Sequence, residues 1–279
     1  MQIRKMSKND IDFALSLTSA EGWLSTRLDF ENLLEFDSEA HFIAEINNES
    51  IGMVGTVPYN EFGYVGNLIV LERHRGKKLG TKLMEFALNY LEERGVMTQL
   101  LDSVPDAVSL YKRLGFRKVC RSLRLEGKVK PKESEFVRFM TDRDLVVIDQ
   151  FDTRLFGACR RTFLQSLLKH FPRLCRVLEF DGEIQGYIMG SKRRDSIRIG
   201  PWVMVHHFDR AENLIGSFAT EANDQVLKIG VLESNDRAVQ LFEKHDFIKT
   251  SHSWRMIRGV DGDWTTSNHL YAICSPARG

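Results

Sequence analysis

Val65-Gly66-Asn67-Leu68-Ile69-Val70-Leu71-Glu72-Arg73-His74-Arg75-Gly76-Lys77-Lys78-Leu79-Gly80-Thr81-Lys82-Leu83-Met84-Glu85-Phe86-Ala87-Leu88 reads as a strand, a basic loop bearing glycines, and a helix. The strand is dense in β-branched and aliphatic side chains, while Leu79, Leu83, Phe86 and Ala87 recur at helical spacing. The loop therefore stands at a helix N-terminus. There the first backbone N–H groups have no partner within the helix and the dipole adds partial positive charge, so phosphates bind readily. Gly76 and Gly80 leave the backbone open to close approach, and Arg75, Lys77 and Lys78 supply cations for a pyrophosphate. A turn of this kind can also carry glycine for geometry and lysine for solubility alone, so its surroundings must decide. The spacing is neither that of a P-loop nor that of G-x-G-x-x-G, so nucleotide hydrolysis and hydride transfer lack their usual signatures.

Outward from this stretch the chain repeats itself. Ala44-Glu45-Ile46-Asn47-Asn48-Glu49-Ser50-Ile51-Gly52 is matched by Leu178-Glu179-Phe180-Asp181-Gly182-Glu183-Ile184-Gln185-Gly186, each a strand, a tight turn and a strand. Asn47-Asn48 and Asp181-Gly182 tolerate the positive φ of a two-residue hairpin. Later, Ala107-Val108-Ser109-Leu110-Tyr111-Lys112-Arg113-Leu114-Gly115-Phe116 is echoed by Ala238-Val239-Gln240-Leu241-Phe242-Glu243-Lys244-His245-Asp246-Phe247, a short amphipathic helix leading into a strand. Such patterns recur by chance in α/β proteins, but the shared order and spacing point to duplication. The polar stretch Gly127 to Asp144 marks the junction, which predicts a first domain over 1–127, a linker over 128–144 and a second domain over 145–279.

The 279 residues, 43% apolar and 28% charged, suit two folded domains. Lysine plus arginine (39) nearly balances aspartate plus glutamate (38), so no general attraction to nucleic acid or an anionic membrane is expected and any basic site is local. No apolar run reaches the roughly 18 residues of a membrane span, and no secretory signal pattern opens the sequence, which predicts a cytoplasmic location. The four cysteines (Cys120, Cys159, Cys175, Cys274) are far apart in apolar surroundings, as expected for reduced core thiols, with no disulfide or metal framework.

Arg75 to Gly80, after a strand ending in Val70, resembles the R-x-x-G-x-G/A signature of the GNAT superfamily of acyl-CoA N-acyltransferases, with Lys78 standing where that pattern has its first glycine. Leu110-Tyr111-Lys112-Arg113-Leu114-Gly115-Phe116 is similar to the family's second signature, L-Y-x-x-x-G-F, though Val104 replaces the asparagine that usually precedes this helix. The resemblance implies tandem α/β domains, each a mixed, mostly antiparallel twisted sheet flanked by helices. It implies that Leu68, Ile69 and Val70 hold the pantetheine arm and acyl carbonyl of acetyl-CoA, that Arg75, Gly76, Lys77, Lys78, Leu79, Gly80 and Thr81 form the pyrophosphate site, and that Tyr111 protonates the departing thiolate. The strand Tyr64 to Val70 carries no carboxylate to act as base. Glu21, in a segment that forms an acceptor-side lid in this family, is the candidate to bind or deprotonate an amine; Trp23 and Asp29 read as packing and capping residues.

The second half keeps Glu233-Ser234-Asn235-Asp236-Arg237-Ala238, close to the N-x-x-A opening of the second signature, but has Phe242 in place of the tyrosine. After Ile199-Gly200-Pro201-Trp202-Val203 no glycine-rich basic loop follows, so this half is expected to be a degenerate repeat without its own cofactor site. The adjacent His206 and His207 lack companions at ligand spacing and are not expected to bind metal. The expected activity is acetyl transfer to a primary amine, of a small molecule or a protein lysine, with a non-catalytic acyl-CoA sensor as the alternative. Oligomeric state is not legible.

Overall fold

A computed structural model of the chain describes residues 1–205 and 210–279. The first half runs β1 (Gln2–Lys5), α1 (Ile11–Ala20), α2 (Arg27–Phe36), β2 (His41–Ile46), β3 (Glu49–Pro58), β4 (Gly63–Val70), α3 (Leu79–Glu93), β5 (Gln99–Ser103), α4 (Val108–Arg113) and β6 (Arg117–Gly127). The second runs β7 (Val137–Phe139), α5 (Asp144–Phe156), α6 (Arg161–His170), β8 (Cys175–Phe180), β9 (Glu183–Lys192), β10 (Ser196–Met204), α7 (Ala211–Ala219), β11 (Val226–Leu232), α8 (Asp236–Lys244) and β12 (Ile248–Arg258), and β13 (Leu270–Ala272) follows. Both expected hairpins form with positive φ at each turn residue: 51° and 64° at Asn47 and Asn48, 51° and 78° at Asp181 and Gly182. Gly115 ends its helix at φ 88°.

The repeat reaches further back than the quoted motifs. Arg4 on β1 forks onto Asp10 (2.7 and 2.9 Å) and donates to Glu45, while Ser7 donates to the same aspartate. Arg138 on β7 forks onto Asp144 (2.8 Å twice) and donates to Glu179, with Thr141 in the place of Ser7. The stretch 128–144, expected as a linker, thus contains the opening strand of the second repeat, paired antiparallel with β8 as β1 is with β2. Sequence periodicity hides it because β7 is only three residues long.

The strands of the described residues join one 13-stranded sheet, ordered β1-β2-β3-β4-β5-β12-β6-β11-β10-β9-β8-β7 with β13 beside β10. The halves exchange strands at its centre: β12 lies between β5 and β6, and β6 lies between β12 and β11. Each half's last repeat strand therefore completes the other's ladder. On the helical layer α2 meets its counterpart α6, with Phe36 stacked on Phe163 at 4.9 Å and the Ser166 hydroxyl donating to Asn32 at 2.6 Å. Apolar residues from both halves merge in one core that includes Leu33, Tyr64, Phe163 and Tyr187. Cys175 and Cys274 are buried free thiols, but Cys159 is exposed, contrary to the expectation that all four are core thiols.

Candidate active site

Met53 opposes Ile69 and Gly55 opposes Gly66, so β4 carries one residue more than β3 across this interval, and Asn67 takes a left-handed φ of 53°. Such a bulge bends its strand. β4 pairs in parallel with β5 only at Gly63–Gln99 and Tyr64–Leu100, and beyond these pairs the strands part. A cavity of about 670 Å³ opens there, lined among others by Leu68, Ile69, Val70, Tyr111, Glu21 and Arg75. The structure thereby brings together the strand, phenol, lid and first loop residue named from sequence. Gly76 to Thr81 lie outside the cavity lining, at the start of α3.

In that loop Gly76 has φ 79° and Lys78, the residue before α3, has φ 58°, the left-handed conformation that explains a glycine in the family signature. Among the described residues no side chain caps α3 and no backbone acceptor serves the amides of Leu79, Gly80 and Thr81. These donors are available to an anion. Among the described residues only Val70 and Leu110 come near the missing side chain of Gly80, both at 3.9 Å, so the backbone there is open to close approach. Arg75 is already engaged: its Nε donates to the Val70 carbonyl at 3.0 Å, and its guanidinium pairs with Glu21. It braces strand, loop and lid, and Glu21 is correspondingly held by a cation.

Tyr111 projects from α4, 8% exposed, with its ring edge-on to Phe116. Burial pushes its phenol up to about 12, so it stays protonated at neutral pH. Where the family has an asparagine, the Val104 carbonyl takes up the Ala107 amide at 3.1 Å.

In the second half the corresponding slot is filled by the chain itself. β10 also carries a bulge, between Ile199 and Trp202, and runs parallel to β11 only from Ser196 to Ile199. Into the resulting gap goes β13, paired with β10 at Trp202 and Val203, and the Ile273 amide donates to the Gly230 carbonyl at 3.0 Å. Asn235 caps α8 and its amide group donates to the carbonyls of Asn268 and Leu270, anchoring this plug. Any side chain at Gly200 would lie 2.1 Å from the Ile273 carbonyl. Phe242, the counterpart of Tyr111, is fully buried against Trp202 and Phe247. His206 and His207 lie outside the described residues.

The far wall of the cavity belongs mostly to residues the sequence reading did not single out. The segment Ile273 to Arg278 crosses from β13 to the first half and lies on β4, where Gly66 has no room for a side chain because Ala277 is 2.6 Å from the position of a Cβ. Asp29 does form the expected capping box with Thr26, but it also receives Arg193 (3.1 Å), Arg278 (3.4 Å) and Arg198 (3.8 Å). Burial would raise its carboxyl; the charges of Arg198, Arg193 and Arg278 outweigh that and hold it at about 2. Asp102 on β5, fully buried, is shared by Arg255 (2.7 Å) and Arg124 (3.5 Å), and these charges keep it below the ordinary carboxylate range despite burial. Arg198 and Lys228 had a sequence signal, a lone cation inside an otherwise apolar strand, but nothing told which face it occupied.

The Acetyltransferase (GNAT) family model matches residues 12–116, and the Acetyltransferase (GNAT) domain model matches residues 148–272. An uncharacterized N-acetyltransferase of Archaeoglobus fulgidus is 33% identical over 34% of this chain and 76% of its own length. A probable N-acetyltransferase, camello, of Xenopus laevis is 29% identical over 38% of this chain, a match that spans 61% of the camello protein. Among solved structures, a candidate acetyltransferase from Pyrococcus horikoshii superposes with a TM-score of 0.84 at 23% identity, covering 100% of this chain and 95% of that one. A tandem GNAT protein from the clavulanic acid biosynthesis pathway gives 0.65 at 14% identity, covering 94% and 99%.

Proposed function

This chain belongs to the GNAT superfamily of acyl-CoA N-acyltransferases, and from that premise we propose that it transfers an acetyl group from acetyl-CoA to the primary amine of a small molecule, in the cavity between β4 and β5. The observation that carries this reading is the coincidence of a splayed strand pair, uncapped helix amides and a buried phenol in one place. Acetyl-CoA supplies the activated acyl group. The amides from Leu79 to Thr81, with Lys77 and Lys78, hold its pyrophosphate, and the free edge of Leu68, Ile69 and Val70 aligns the thioester arm. The amine nitrogen bonds to the acyl carbon as the carbon–sulfur bond breaks; Tyr111 gives its proton to the sulfur and the amine loses its proton to water. Glu21, tied up by Arg75, positions lid against loop. Residues 1–127 form the catalytic unit, and the degenerate repeat that opens with β7 shapes the acceptor side.

Thiol release from acetyl-CoA over a panel of amines tests the reading. Tyr111→Phe should lower kcat by roughly 100-fold with little change in coenzyme affinity. Tight CoA binding by calorimetry with no release for any amine would instead identify a sensor.

A further inference from the structure

Given acyl transfer in this cavity, on which the inference rests, we propose that the acceptor amine also carries an oxyanion, a carboxylate or a phosphate, seated on the acceptor wall by Arg198. In the cluster around Asp29 and Asp102 cations outnumber anions, with Arg193 and Arg255 reaching it from outside the cavity lining. Asp29 is shared by three guanidinium groups and Asp102 by two, while Lys228 is matched by Glu126 at 3.5 Å. A surplus of guanidinium charge in a concave site is unfavourable unless an anion completes it.

The surplus is visible atom by atom. Arg198 lines the cavity with its side chain 22% exposed, and no hydrogen bond to its guanidinium is present among the described residues; its nearest carboxylate oxygen is 3.8 Å away. Behind the lining, the Nε of Arg193 and an Nη of Arg255 are buried with no hydrogen-bond partner among the described residues. Were the cluster only an inter-half tie, Arg193 on Asp29 would suffice, because that pair already joins the two repeats at 3.1 Å. The Arg198 guanidinium, a planar fork of donors facing the cavity, suits a carboxylate or phosphate oxygen pair. Cavity size favours a small acceptor, since about 670 Å³ must also receive the thioester end.

Matched acceptors separate the possibilities: glycine, β-alanine and alanine against alaninamide, and phosphoethanolamine against ethanolamine, each assayed by thiol release from acetyl-CoA. The acid-bearing member of a pair should have the higher kcat/KM by roughly 10- to 100-fold, and the pair with the larger gap identifies carboxylate or phosphate. Arg198→Gln should erase that gap while leaving the KM for acetyl-CoA and the melting temperature near wild type, and Arg198→Lys should restore part of it. Neutral amines used as well as acidic ones, or a gap that survives Arg198→Gln, would overturn the proposal. Calorimetry with glutarate and inorganic phosphate provides a readout independent of turnover. Arg198-dependent binding of either anion without thiol release would uphold the oxyanion seat while sinking acyl transfer; binding of neither, with no turnover, would sink both.

Discussion

Burial does two different things to titratable groups here. Tyr111 is pushed up to about 12, which preserves the protonated donor that a departing thiolate needs. The kcat–pH profile should therefore rise as the amine deprotonates and show no alkaline fall below about pH 10, where an ordinary phenol would begin to ionise; a descending limb near 9 would remove Tyr111 from this role. His41 is the opposite case: fully buried, it is pulled down to about 4, while its Nε2 donates to the Leu33 carbonyl at 3.0 Å. Its folded-state value lies below its unfolded value of about 6.5, so protons favour the unfolded chain in that interval. The contribution is whole above pH 6.5 and lost as pH falls through 4, about 3 kcal/mol in all. His41→Gln should flatten the dependence of urea midpoints on pH between 6.5 and 4. Asp29, held at about 2, adds a further loss of stability as pH drops below about 4.

At the scale of elements, the loop before α3 departs from its signature at the one position whose backbone is left-handed. Lys78, at φ 58°, bears a cost of about 1–2 kcal/mol that glycine would avoid. Lys78→Gly should thus match or exceed the wild type in stability, and Lys78→Val should lose about 1–2 kcal/mol by chemical denaturation, because β-branching disfavours that region further. The strand, loop and helix were legible because their signals are local: periodicity, glycine spacing, turn residues. Tyr111 was legible for the same reason. The β4 bulge at Asn67 was not, since nothing in Gly66-Asn67-Leu68 distinguishes a bulged strand from a regular one until its partner is known. Nor was the plug: β13 is three residues long and fills a gap between β10 and β11, strands well before it in the chain.

The whole molecule is a pair of repeats that cannot be cut where their sequences divide. β5 and β6, both from the first repeat, are bridged by β12 from the second. Residues 1–127 made alone would leave two unpaired strand edges in the middle of a sheet. They should aggregate or self-associate on size exclusion, and co-expression of 128–279 should restore a soluble complex that binds CoA; a well-folded monomer of 1–127 would contradict the exchange.

From the residues alone came two α/β repeats, the hairpins, the strand-to-helix loop, the phenol and the loss of both loop and phenol in the second copy, because each is written in short-range spacing. The tertiary structure decided that the second slot is filled by the chain's own strand, that the Ile273 to Arg278 segment walls the first, and that Asp29 gathers arginines from across the molecule. Those features depend on which strands become neighbours, and pairing between strands distant in the chain leaves no periodic trace in either of them.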